Sequence, residues 1–182
     1  MISWNHDIIK VTLGLEIVWE KSSFGEIVTN NDVLRSLQNI LDINESTLAE
    51  IFKLANHSID VATVSSFLKD ENEEGYSDSN DEQMTSFLNG LITFRRGKSD
   101  HNPVELQTNT SAITNNIIFK KLRIAFELKE DDLIELMSLA NYPVSKSELS
   151  SISRKVGHKH YRVCSDDLLM GLLVGLTFRQ WK

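Results

Sequence analysis

Apolar residues recur at helical spacing along most of the chain. Val33, Leu34, Leu37, Ile40 and Leu41 share one helix face, and Ile118, Phe119, Leu122, Ala125 and Phe126 repeat that face further on. A second pair of helices is predicted over about 47–54 and 132–139, each closing near an asparagine, a residue that tolerates the left-handed turn ending a helix. A third pair follows Asp60 and Ser145, where Ser145-x-x-Glu148 has the form of a capping box. The fourth pair is the most apolar, with Met84, Phe87, Leu88, Leu91 and Ile92 in one and Leu169, Leu172, Leu173 and Leu176 in the other. Period-two runs of β-branched residues are nearly absent beyond residue 30, and Val11, Leu13 and Leu15 give the one hint of a strand before it.

These eight segments are one pattern used twice. Residues 30–97 align with 115–182 at a constant offset of 85 without a gap, and 16 of the 68 pairs are identical. Unrelated sequences of average composition would match at about four or five such positions. Asn30-Asn31 falls on Asn115-Asn116, Leu54-Ala55-Asn56 on Leu139-Ala140-Asn141, Asp81 on Asp166, and Gly90-Leu91 on Gly175-Leu176. The asparagine pairs read as N-caps of the first helices. Gly90 and Gly175 each weaken a helix by about 1 kcal/mol relative to alanine, which predicts a close backbone approach. The expectation is that the two fourth helices cross there, over the smooth face of Gly171-x-x-x-Gly175.

A repeat of 68 residues is marginal as a lone core, so a shared interior is expected. The fold class is therefore all-α, a tandem duplication of a four-helix repeat packed with pseudo-twofold symmetry. Residues 30–98 form the first repeat, 115–182 the second, and the polar, Pro103-interrupted stretch 99–114 a linker. Residues 1–29 belong to neither repeat, and Val28 is what an alternative GUG start would leave, which would place 1–27 outside the native product.

Over 182 residues, the net charge of −7 and pI near 5.2 argue against general polyanion binding. The longest apolar run, Leu168 to Leu176, is well short of the roughly 20 residues of a membrane-spanning helix, so no membrane partner is expected. A single cysteine, Cys164, and no recognisable leader point to the cytoplasm. The distribution of charge changes the picture more than its sum. Residues 30–98 hold six basic and twelve acidic side chains, and residues 115–182 hold eleven basic and eight acidic. The difference concentrates before the fourth helix, in an acidic segment 69–77 (KDENEEGYS) and a basic segment 154–162 (RKVGHKHYR).

Opposed patches at matching places favour an oriented interaction, by self-association or with a charged protein partner. The candidate binding residues are Arg154, Lys155, His158, Lys159, His160, Tyr161 and Arg162. Nucleic acid is the alternative, with the basic side chains on phosphates, Tyr161 or a histidine stacked on a base, and a helix, turn, helix layout over Leu133 to Lys155. A third reading is an enzyme or metal protein built on the H-x-H-x3-C run of His158, His160 and Cys164. Phosphate-loop, nucleophile-elbow and H-E-x-x-H patterns do not occur, and no cofactor is implied. Asp131-Asp132 and Asp166-Asp167 fit the first turns of helices, where negative charge meets the macrodipole.

The segments Asn30-Asn-Asp-Val-Leu-Arg35, Phe87-Leu-Asn-Gly-Leu-Ile92 with Arg95-Arg-Gly-Lys98, and Asn115-Asn-Ile-Ile-Phe-Lys-Lys-Leu-Arg-Ile-Ala-Phe126 resemble the YehS-like family of uncharacterised bacterial proteins. That family is built on a duplicated domain of unknown function, DUF1456. The resemblance spans residues 28 to 182 and implies no reaction, cofactor or partner. It implies a tyrosine or phenylalanine followed three residues later by cysteine in each repeat. Tyr161-x-x-Cys164 keeps this pattern, and Tyr76-x-x-Ser79 departs from it, so no role requiring a thiol in both halves is expected.

Overall fold

The computed structural model describes residues 27–97 and 112–180. The expectations for the N-terminal extension and for most of the linker lie outside them. The described residues form helices α1 (Asn30–Leu41), α2 (Glu45–Leu54), α3 (Val61–Leu68), α4 (Asp81–Arg96), α5 (Asn115–Ala125), α6 (Glu130–Leu139), α7 (Lys146–Ile152) and α8 (Asp166–Gln180), with no strand among them. The fold is all-α and the repeat is tandem, α1 to α4 followed by α5 to α8.

The two copies punctuate their helices alike. Asp42 and Glu127 turn left-handed after the first helices, with φ of 50° and 54°, and Asn56 and Asn141 do so after the second, at 59° and 55°. Asp60 and Ser145 cap the third helices by accepting from the backbone N–H groups of Thr63 and Glu148. The first helices correct the expectation. Thr29 and Thr114 are the N-caps, accepting from the N–H groups of Asp32 and Ile117, and the asparagine pairs occupy the first two helical positions. There their amides are free to reach across the fold.

The core is continuous through both copies and includes four phenylalanines, Phe52, Phe67, Phe87 and Phe119, each at most 2% exposed. Each such side chain contributes about 1.5–3 kcal/mol by leaving water. The halves join reciprocally, α4 of the first copy packing on α5 of the second and α8 of the second on α1 of the first. Exchanging the copies exchanges these two contacts, which is the pseudo-twofold relationship. Around the α4/α5 seam, Arg96 pairs with Glu127 at 3.2 Å and the Arg95 guanidinium lies 4.7 Å from the centroid of the Phe126 ring. Lys121 donates to the Asn89 side-chain oxygen within the same seam, where burial pushes its ammonium below the ordinary lysine range.

The expected crossing of the fourth helices at their glycines is not what joins the halves. α4 packs closely on α2, and α8 on α6. A Cβ on Gly90 would lie 1.8 Å from the Ile51 carbonyl oxygen, and one on Gly175 would lie 2.3 Å from that of Leu136. Both glycines do serve a close approach, but to the second helix of their own copy. Gly171 likewise faces Met137 and Tyr142.

Candidate functional site

The segments 69–77 and 154–162 hang from the same frame. In the first copy the Asn31 amide donates to the Ser77 carbonyl at 2.8 Å, and its oxygen accepts from the Ser79 backbone N–H at 2.8 Å. In the second, the Asn116 amide donates to the Arg162 carbonyl at 2.8 Å, and its oxygen accepts from the Cys164 N–H at 2.9 Å. Asn30 donates to Asp81, and Asn115 to Asp166, fixing the start of each fourth helix. The N–H groups of Ser77 and Arg162 both donate back, at 3.2 Å, to the carbonyls of Ser66 and Ser151 at the close of the third helices. Two connections of equal length are thus clamped at equivalent points. These clamps satisfy backbone groups that a buried connection would otherwise leave unpaired.

What the clamps present differs in sign. Asp70, Glu71, Glu73 and Glu74 are exposed in the first connection, and Arg154, Lys155, His158, Lys159, His160 and Arg162 in the second. Val156 and Val163, 82% and 70% exposed, stand where the first copy has Glu71 and Asp78. Arg162 pairs with Glu148 at 2.7 Å. Glu148 lies below the usual carboxylate range, held there first by the N–H and hydroxyl of Ser145 and then by Arg162. Lys155 and Lys159 form no ion pair among the described residues. Tyr161 is half-buried and donates its hydroxyl to Asn116, so it belongs to the frame more than to the exposed face. Its counterpart Tyr76 donates instead to Asp78, whose hydrogen bond raises the phenol to about 12.

The H-x-H-x3-C run is not assembled into one site. Cys164 is 1% exposed, and burial, helped by the Asp166 carboxylate, pushes its thiol up to about 12, far from the thiolate that binds metals or attacks substrates. The histidines are exposed instead, their rings 5.7 Å apart. The Arg154 guanidinium and the His160 backbone N–H both face ring nitrogens of His158, at 3.2 and 3.1 Å. A neutral imidazole accepts at one nitrogen only, so its tautomer selects one of these contacts. No group of three or more His, Cys, Asp or Glu side chains that could hold a metal is present among the described residues.

The helix, turn, helix layout exists as α6 and α7. α7 has seven residues, its Leu149 and Ile152 are buried, and Lys146 at its start pairs with Asp131 at 2.9 Å. Asp81, Asp131, Asp132, Asp166 and Asp167 all fall in first turns. His57 lies against Phe52, ring centroids 6.0 Å apart. The asparagine clamps were missed in the sequence. The signal was the identity of the asparagine pairs and of Asp81 with Asp166 in the two copies, which alone does not tell a cap from a tether.

No helix among the described residues is long and apolar enough to cross a membrane. No solved structure matches the chain. An Escherichia coli (strain K12) protein described as uncharacterized protein YehS is 40% identical over 151 residues, covering 83% of this chain and 96% of that one. A family described as protein of unknown function, DUF1456, matches residues 30–97 and again 115–180, the two helical copies that carry the clamps. By both measures the chain belongs to the DUF1456 family.

Proposed function

We propose that this protein is a non-catalytic binding or regulatory protein of the cytoplasm, and that its basic connection is a recognition surface for an acidic protein face. The residues that carry recognition are Arg154, Lys155, His158, Lys159 and Arg162, with His160 and the framework residue Tyr161 completing the surface. The observation that supports this reading is the pair of equivalent clamps bearing opposite charge. Where packing alone governed these connections, nothing would require one to carry four exposed carboxylates and the other exposed lysines with Val156 and Val163. Exposed apolar side chains among cations suit a protein partner, because they gain by leaving water once charge has oriented the encounter. The acidic connection provides the complementary face for self-association, in which each copy of the chain would give its basic segment to the acidic segment of the other.

The test is capture from an extract of the source cells at low and high salt, alongside sedimentation of the purified protein. Both are repeated with Lys155, Lys159 and Arg162 changed together to alanine. Retention or self-association that falls with salt, and is lost in the triple variant while helicity is kept, supports the reading. Exposed charges are screened over about 8 Å at physiological ionic strength, so the low-salt arm carries the signal. Captured nucleic acid in place of protein would favour the polyanion alternative. Behaviour unchanged in the variant would remove the segment from any role in recognition.

A further inference from the structure

A cleft of about 370 Å³ opens between α5, α6 and α7, lined by Arg123, Glu130, Leu149, Ser150, Ser153 and Arg154. At the offset of 85 the first copy has Gln38, Glu45, Val64, Ser65, Leu68 and Lys69. There the Ser65 hydroxyl donates to the Glu45 carboxylate at 3.2 Å, tying α3 to α2 across the corresponding place. Lys69 turns into its own connection and donates to the Glu74 carbonyl. In the second copy that tie is not made. Ser150 accepts instead from Arg154, at 3.5 Å, and the leucine and glutamine positions have become Ser153 and Arg123. The same frame therefore carries a hydrogen bond between the second and third helices in one copy and a polar cleft in the other.

The donors of the cleft are placed and not spent. Arg123 is half-buried and gives its Nε–H to the Leu128 carbonyl at 3.1 Å, which orients the guanidinium and leaves both Nη groups without a partner among the described residues. Arg154 donates to Ser150 at 3.5 Å and lies 3.2 Å from a ring nitrogen of His158. Among the described residues neither arginine forms an ion pair, Glu130 in the same cleft included. Ser150 accepts from Arg154 and keeps its own proton to give, whereas Ser153 donates to the Leu149 carbonyl and keeps lone pairs to receive. Guanidinium groups match the oxygens of a phosphate in paired hydrogen bonds. The Glu130 carboxylate would repel a bare anion but accept from a hydroxyl carried beside it. The volume lies in the range of small-molecule sites.

We infer that this cleft binds a small phosphate monoester bearing hydroxyl groups, with Arg123, Arg154 and Ser150 on the phosphate and Glu130 and Ser153 receiving hydroxyls. The inference goes beyond the recognition reading and shares only Arg154 with it.

The test is calorimetric titration of the full chain at low salt with glucose 6-phosphate, inorganic phosphate and glucose, with amide chemical shifts followed at Ser150 and Ser153. Glucose 6-phosphate is expected to bind saturably and more tightly than phosphate, and glucose alone not to bind. Arg123→Gln and Ser153→Leu, each restoring the first-copy residue, should each weaken the ester by about tenfold or more, the scale of one lost charge-assisted contact or a filled cleft. Glu130→Gln should shrink the preference for the ester over phosphate. Lys155→Ala with Lys159→Ala should weaken the ester less than Arg123→Gln does, and that smaller effect should vanish as salt screens the exposed lysines, which separates this site from the neighbouring segment. Absence of saturable binding to the wild-type chain, affinity equal to wild type in both Arg123→Gln and Ser153→Leu, or loss only in the lysine variant would overturn the proposal. Phosphate binding as tightly as the ester would overturn the role of Glu130.

Discussion

Asn116 holds Cys164 in the core by accepting its backbone N–H at 2.9 Å, while the same side chain donates to the carbonyls of Ile152 and Arg162. One amide thus ties the end of α7 and the return of the basic connection to the start of α5. Asn116→Ala leaves these backbone groups without their partner. The expected loss is about 2–4 kcal/mol, a little above that of one buried hydrogen bond because several groups are orphaned together. Asn31→Ala orphans one backbone group fewer but at a side chain only 1% exposed, so it should cost about as much. Urea unfolding of both variants checks the comparison.

The thiol below that clamp gives a pH prediction. Its folded value of about 12 lies above the ordinary 9.0, so the unfolded chain loses the proton first as pH rises. The contribution of Cys164 to stability is therefore complete below the ordinary value and declines from there towards about 12. Wild type and Cys164→Ala should converge in stability across that alkaline window, and a thiol reagent at about pH 8 should label the native protein only at the rate of its opening. Rapid labelling without unfolding would contradict the placement of the sulfur.

Ser79 occupies the equivalent position in the first copy, 5% exposed, with a buried hydroxyl that has no hydrogen-bond partner among the described residues. A hydroxyl taken from water without compensation costs about 1–3 kcal/mol. Ser79→Cys, which makes the two copies alike, and Ser79→Ala should both raise the unfolding midpoint.

Gly90→Ala and Gly175→Ala force a methyl group into the Ile51 and Leu136 carbonyls, and neither backbone can withdraw without moving a helix. Each variant is expected to lose about 3 kcal/mol or more, despite the gain in helix propensity. Gly157→Ala is the comparison. Nothing lies within 4 Å of its Cβ position, so only the strain of its φ of 87° is felt, at about 1–2 kcal/mol. Thermal melts of the three distinguish crowding from backbone strain.

The helices were legible because apolar spacing survives duplication, and their turns because Asn56, Asn141, Asp60 and Ser145 act within a few residues of themselves. What the glycines were for was also legible, but not against what. Close approach needs a missing Cβ whichever helix draws near, and the choice of α2 over the opposite copy is made by packing distributed over the whole core. The asparagines failed differently. A short amide serves equally as a cap or as a tether, and Thr29 and Thr114 took the cap, leaving Asn31 and Asn116 to bonds spanning 46 to 48 residues. Proximity along the chain likewise grouped Cys164 with two histidines, whereas the tether turns the sulfur inward and leaves the rings outside. The charge contrast between the connections was fully visible, since exposed segments keep what composition gives them.

The exchange of partners between the copies has a bearing on synthesis. α1 leaves the ribosome well before α8, the helix it is destined to lie against, so its apolar stripe must wait while more than half of the polypeptide is still being made. α4 waits only for α5. A nascent first copy is consequently sticky on one side, and its maturation falls after translation of the second, at a stage when holdase chaperones or a neighbouring nascent chain compete for the same stripe.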